Sequence, residues 1–282
     1  MRDRRSQSDF RGRRRRSPPT GRDGGRLGRE RQKQSPRGDD AAILYGWHTV
    51  TAALANPARR IRRLLATENA ARRLSAEGIT LKIAPEIVRP DTIAALLSPD
   101  AVHQGLYAEA DPLPSPDIED VAASGIVLAL DQITDPHNVG AILRTAAAFA
   151  VAAIVITARH SPEVTGVLAK SASGALELVP IVSVQNLARA LSQLKERGFL
   201  VVGLDSEAPN SLGADGLHEP LVLVLGAEGK GLRQLTAATC DRLARLDLPG
   251  ALKSLNVSNA AALALYIADR SLAQALIKRP GK

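Results

Sequence analysis

Three short stretches carry polar side chains whose spacing could do chemistry. The first, DQITDPHNVGAILR (Asp131 to Arg144), opens a helix with Asn138 and Arg144 six residues apart. That is about one and a half turns, so both can face one cleft. Helix capping alone would explain Asn138. It does not explain an Arg between AIL and TAAAFA, where the rest of the helix reads as buried. The second, GAEGKGL (Gly226 to Leu232), has three glycines in six positions, which lets a backbone come close to a ligand. It lacks GxGxxG, and Lys230 precedes Gly231 rather than Ser or Thr, so it is neither a dinucleotide fingerprint nor a P-loop. Glu228 at its centre argues against a phosphate there. The third, KSLNVS (Lys253 to Ser258), sets Ser254, Asn256 and Ser258 two residues apart at the mouth of an Ala/Leu helix. One such residue is an ordinary cap; three are more than one helix start uses.

These stretches must be held by the elements around them. IVLAL (Ile126 to Leu130), AAIVIT (Ala152 to Thr157), LVPIV (Leu178 to Val182), FLVVG (Phe199 to Gly203), LVLVL (Leu221 to Leu225) and RLARLDL (Arg242 to Leu248) read as strands. Helices are expected at Val139 to Phe149, Val164 to Ser173, Leu187 to Leu194 (Asn186 as cap, Gly198 as stop) and from about Ser258. Apolar strands alternating with helices predict a parallel sheet covered on both faces. Ligands in such sheets sit beyond the carboxyl ends of the strands, which is where all three stretches fall.

A smaller α/β unit precedes this sheet. Its strands are expected within Ile43 to Tyr45, at IRRLLA (Ile61 to Ala66), at TLKI (Thr80 to Ile83) and at QGLYA (Gln104 to Ala108). Its helices are expected to Leu54, at AARRLS (Ala70 to Ser75) and at Ile87 to Leu97. Basic residues gather at Arg59, Arg60, Arg62, Arg63, Arg72 and Arg73. DPLPSP (Asp111 to Pro116) reads as a semi-rigid linker. The expected layout is a tail over 1–40, a small α/β domain over 41–108, a linker over 109–122 and a parallel-sheet domain over 123–282.

Charge separates the tail from the rest. The 282-residue chain is formally +8, and its first forty residues hold 14 Lys/Arg and 6 Asp/Glu, leaving 23 of each sign elsewhere. RGRRRR (Arg11 to Arg16) lies among Ser, Gly, Gln and Pro, a composition expected to stay disordered and to bind polyanions by counterion release. The tail is too acidic for a transit peptide, and no apolar run fits a secretory signal or a membrane span. A single cysteine, Cys240, excludes an internal disulfide and suits the cytoplasm. Five scattered His predict no metal site, and 2% aromatics predict no base-stacking sheet.

NxGxxxRTA, GxEGxG and SLNVS before an Ala-rich helix, in this order and each after a strand, resemble the motifs of the SpoU (TrmH-like) family of RNA 2'-O-ribose methyltransferases. YGWHTVTAAL (Tyr45 to Leu54) and HQGLYA (His103 to Ala108) are similar to that family's substrate-binding domain. The resemblance implies a SPOUT-type α/β fold with a C-terminal trefoil knot, a homodimer with a shared site, and S-adenosylmethionine held mostly by backbone. It implies cofactor contacts at Gly226, Leu246 and Leu255, and catalytic roles for Asn138, Arg144, Glu228, Ser254 and Asn256. It implies an RNA substrate, a guanosine of 23S rRNA foremost. A tRNA substrate, and a non-catalytic assembly factor with the same fold, stay open. A guanidinium holds its proton to beyond about pH 12, so Arg144 is expected to bind phosphate and a developing alkoxide rather than to take the proton. The family's Ile-Pro-Met at the strand end is replaced here by Leu246-Asp247-Leu248, and Pro249 can supply the turn.

Overall fold

The computed structural model describes residues 41–277 except 160, 162–165 and 215. The Arg-rich tail and the first residues of the helix expected at Val164 therefore lie outside the described residues. Two sheets share one apolar core, and residues from Leu44 to Leu272 belong to a single buried cluster.

The first sheet has the order β1-β4-β2-β3, with β1 Ala42–Tyr45, β2 Ile61–Ala66, β3 Glu86–Ile87 and β4 Leu106–Ala110. β4 runs antiparallel to both β1 and β2. Helix α1 (Trp47–Ala55) follows β1, and α2 (Glu68–Ala76) follows β2 behind the cap Thr67. Two expectations fail here. TLKI forms no strand: Ile79 and Ile83 pack on the core, while Lys82 Nζ reaches the carbonyls of Asn56 and Arg59. Ile87 pairs with Ala66 in β3, and α3 (Pro90–Ala94) starts only where Pro90 sets a first-turn φ.

The second sheet is wholly parallel, in the order β10-β8-β9-β5-β6-β7. Its strands are β5 Ile126–Asp131, β6 Ala153–Thr157, β7 Ile181–Val184, β8 Leu200–Leu204, β9 Leu221–Gly226 and β10 Arg242–Ala244. Helices α4 (Pro136–Ala148), α5 (Gly166–Ala172), α6 (Leu187–Glu196), α7 (Gln234–Thr239) and α8 (Val257–Ile277) connect or close it. Asn186 caps α6 by accepting from the Arg189 N–H at 3.1 Å, as the sequence indicated. β7 begins after Pro180, because a proline cannot donate within the ladder. β10 stops at Ala244: the Arg245 N–H turns to the Asn210 carbonyl, and its own carbonyl accepts from Leu212.

A buried ion pair ties the two sheets together. Arg59 and Glu177 meet at 2.7 Å with side chains 2% and 3% exposed. Asn56 donates to the same carboxylate at 2.7 Å, and Arg59 Nη1 donates to the Asp111 carbonyl. The other arginines of the basic cluster are largely neutralised at the surface: Arg63 by Glu86, Arg73 by Glu77, Arg72 by Glu68, and Arg60 and Arg62 by Asp111. Arg59→Ala strands the Glu177 charge. It should cost about 3 kcal/mol in chemical unfolding, whereas Arg72→Ala should change little.

Candidate active site at the carboxyl edge of the parallel sheet

β5 and β9 are neighbours, with Asp131 opposite Gly226 at their carboxyl ends. The loops after them therefore leave the sheet side by side. Asp131 is fully buried. Its carboxylate accepts from the Arg233 backbone N–H at 2.9 Å and from Arg233 Nε at 2.7 Å. That clamp fixes the far end of the glycine loop to the end of β5. Sequence reasoning passed over Asp131; the signal was an acid closing a run of five apolar residues.

Within the glycine loop, the Gly231 N–H donates to the Ala227 carbonyl at 2.8 Å, closing a tight hairpin. A Cβ on Gly226 would sit 2.2 Å from the Gly231 carbonyl carbon. Gly226 is thus required by the hairpin's own backbone. Glu228 stands exposed at the tip.

The third stretch meets the first. Asn256 Nδ2 donates to Asn138 Oδ1 at 3.1 Å, across 118 positions of sequence. Asn256 Oδ1 accepts from the Ser258 N–H at 2.9 Å and from Ser258 Oγ at 2.6 Å. Asn256 is therefore both the cap of α8 and the bridge to α4. Asp135, not Asn138, caps α4, accepting from the His137 N–H at 2.9 Å. Ser254 and Leu255 precede the cap as exposed residues, while Leu246 packs on the core. Asp247 pairs with Arg245 at 3.1 Å. From Leu246 to Asn256 no backbone N–H donates a hydrogen bond among the described residues. Such donors need a partner in water or in a ligand.

Arg144 differs from expectation in its setting. The helix around it is not buried throughout: Arg144 and Ala148 are exposed and Asn138 is half-buried, whereas Val139, Ile142, Leu143 and Ala146 face the core. At 100° per residue Arg144 lies roughly 120° around the helix from Asn138, so the two do not share one helix face as the spacing suggested. Among the described residues Arg144 makes no hydrogen bond or ion pair. The structure thus joins Asn138 to Asn256, while Arg144, Glu228 and Ser254 are exposed and have no hydrogen-bond partner among the described residues.

Other chemistries find no support here. Burial, reinforced by Asp241, pushes the Cys240 thiol up to about 11, so it is a poor nucleophile at neutral pH. Among the described residues no cluster of His, Cys, Asp or Glu could hold a metal ion. No described helix is long and apolar enough to cross a membrane. A cavity of about 820 Å³ lies under the Pro112–Pro116 linker and shares no residue with the loops above.

The bridge between α4 and α8 separates two roles by substitution. Asn256→Ala should lose about 1 kcal/mol of thermal stability with the cap, and about a hundred-fold in turnover with the bridge. Asn256→Asp keeps an acceptor for Ser258 but cannot donate to Asn138. It should restore stability without restoring turnover.

Fold and loops together define an α/β protein with its polar site at the carboxyl edge of a parallel sheet. Residues 125–266 match the SpoU rRNA methylase family, and residues 43–116 match the RNA 2'-O ribose methyltransferase substrate-binding family. The chain belongs to the SpoU rRNA methylase family. It is 38% identical over 239 residues to the 23S rRNA (guanosine-2'-O-)-methyltransferase RlmB of Pseudomonas putida, covering 80% of this chain and 95% of that one. A TrmH-family protein from Porphyromonas gingivalis superposes with a TM-score of 0.69 at 29% identity, covering 82% and 90%. The SpoU methyltransferase AviRb from Streptomyces viridochromogenes, solved with AdoMet, shares the fold at a TM-score of 0.71 and 23% identity, covering 85% and 92%.

Proposed function

We propose that this chain transfers a methyl group from S-adenosylmethionine to a ribose 2'-hydroxyl of RNA, with a guanosine of 23S rRNA as its target. The observation that carries the reading is the hydrogen bond from Asn256 to Asn138, which draws the first and third motif loops together beside the glycine hairpin. The donor fits the loops by its chemistry. The backbone N–H groups from Leu246 to Asn256, unengaged among the described residues, and the close-packed Gly226 suit a ligand held by main-chain groups, with Gly226, Leu246 and Leu255 as contacts. When bound, S-adenosylmethionine supplies an electrophilic methyl on a cationic sulfur.

The chain's side chains then have to place and polarise the hydroxyl. Asn138 and Asn256, locked to each other, present a fixed pair of amides to the ribose. Ser254, two residues before the cap, adds a hydroxyl partner. Arg144 binds the neighbouring phosphate and stabilises negative charge as it develops on the 2'-oxygen. Glu228 orients the Arg144 fork. Family membership also supports a homodimer whose second copy completes the site, a trefoil knot formed by the segment leading into α8, and a cytoplasmic place of action. We divide the chain accordingly into a basic tail (1–40), an RNA-binding domain (41–108), a linker (109–122) and a catalytic domain (123–282).

The target is tested by offering labelled S-adenosylmethionine with unmodified 23S rRNA or unmodified tRNA. Label in 23S rRNA is expected. Label in tRNA alone would replace the substrate and keep the reaction, and cofactor binding without transfer to either RNA would favour an assembly factor.

A further inference from the structure

A second polar site lies in the first sheet's half of the molecule. Trp47, Asn69, Arg73, Pro90, His103 and Gln104 line a cavity of about 250 Å³. Its layering is specific. The Arg73 guanidinium lies 3.7 Å from the centroid of the Trp47 ring, and Arg73 Nε donates to Glu77 at 2.7 Å. One face of the guanidinium is therefore covered, and its edge is fixed. The Arg73 side chain is still 54% exposed, so the other face is open. The polar rim is partly committed. His103 Nδ1 accepts from the Gly105 N–H at 3.1 Å, which leaves Nε2 with the proton and free to donate. Among the described residues the Asn69 amide has no hydrogen-bond partner.

The cavity is also wired to the site at the sheet edge. Gln104 Oε1 accepts from the Trp47 N–H at 3.0 Å and from Lys170 Nζ at 3.0 Å. Lys170 is the neighbour of Ser171 on α5, and Ser171 Oγ donates to the His137 carbonyl, next to Asn138, at 3.1 Å. A single helix thus connects the rim of this cavity to the loop that opens α4.

Resting on the RNA-methyltransferase reading, we infer that this cavity takes one unpaired base of the substrate RNA, stacked on the open face of Arg73, while Asn69 and His103 bond its edge. A guanidinium already stacked on an indole is a flat, preorganised platform, and unstacked RNA bases settle on such planes. The cavity supplies the single-base equivalent of the stacking sheet that the aromatic-poor composition rules out. Its role is to anchor a nucleotide flanking the methylated one, so it governs RNA binding and leaves the chemical step alone.

Trp47 is the only tryptophan in the chain, so its emission reports this cavity alone. The probe is a single-stranded oligoadenylate of about eight nucleotides, against an abasic ribose-phosphate chain of equal length. The oligoadenylate should change Trp47 emission and the abasic chain should not. In steady-state methylation of 23S rRNA, Arg73→Ala should raise KM for RNA about ten-fold with kcat unchanged, as expected for one lost stack. Arg73→Lys, which keeps the charge and loses the plane, should behave like Arg73→Ala. The surface ion pair with Glu77 contributes little stability, so both variants should fold. Three results would each overturn the inference: equal emission changes with both chains, oligoadenylate bound by anisotropy with no emission change, or a wild-type KM in Arg73→Lys. Failure of the wild-type protein to methylate any RNA would instead sink the functional reading, since the emission response to oligoadenylate is scored without turnover.

Discussion

Arg144→Ala should lower methyl transfer by about a hundred- to a thousand-fold while S-adenosylmethionine binding stays at its wild-type level. The size follows from removing one guanidinium donor to a developing oxyanion. The separation of the two effects follows from position. Arg144 lies on the exposed strip of α4, whereas the segments expected to hold the cofactor are the glycine hairpin and the run from Leu246 to Leu255. Exposed and without a protein partner among the described residues, Arg144 should leave the melting temperature unmoved when truncated. Arg144→Lys discriminates the two possible uses of the cation. A fork that reads phosphate and alkoxide together is not replaced by an ammonium, so Lys should recover less than about a tenth of the lost rate. A near-normal rate in Lys would show that charge alone suffices.

Gly226→Ala should abolish measurable cofactor binding and lower stability at the same time. The cause is space, since the new Cβ would lie 2.4 Å from the Gly231 carbonyl oxygen and 2.5 Å from the Leu232 nitrogen. These are backbone atoms, so relief requires the hairpin to open, breaking the bond from Gly231 to Ala227 and moving Glu228 with it. Gly229→Ala is the matching control. Gly229 has a φ of +74° but open space around its Cβ position, so alanine there meets only backbone strain of about 1 kcal/mol. Isothermal titration of S-adenosylmethionine should show strong loss for the first variant and near-normal affinity for the second. Equal losses would mean that any stiffening of the loop is harmful and that the close approach at Gly226 has no special part.

The parts of this molecule that were legible in the sequence are those set by local pattern. The apolar runs of β5, β6, β8 and β9 needed no partner to be recognised, and α6 declared itself through Asn186 and the Gly198 stop. What failed depended on distant chain. TLKI alternates like a strand, yet Lys82 is drawn to the carbonyls of Asn56 and Arg59, and no described strand pairs with it. RLARLDL looks like one strand, but beyond Ala244 the next residue pairs with the loop at Asn210 to Leu212. α7 is short and follows the Asp131–Arg233 clamp, a contact 102 residues apart that no periodicity announces.

The site divides in the same way. The residue types and their order along the chain picked out the three loops. The contact between Asn138 and Asn256, and the use of Asp135 rather than Asn138 as the α4 cap, emerged only when the chain was folded. The argument from burial around Arg144 was misled by alanines, which fit an exposed strip as readily as a core.

The central claim is that the methyl group goes to a ribose oxygen. The direct measurement is to label 23S rRNA with methyl-tritiated S-adenosylmethionine and this protein, hydrolyse the RNA in alkali and separate the products. A 2'-O-methyl group blocks cleavage at its own phosphodiester. The account therefore predicts that label appears in a single alkali-resistant dinucleotide carrying guanosine, and disappears with Arg144→Ala. Label released in mononucleotides would place the methyl on a base and contradict the account.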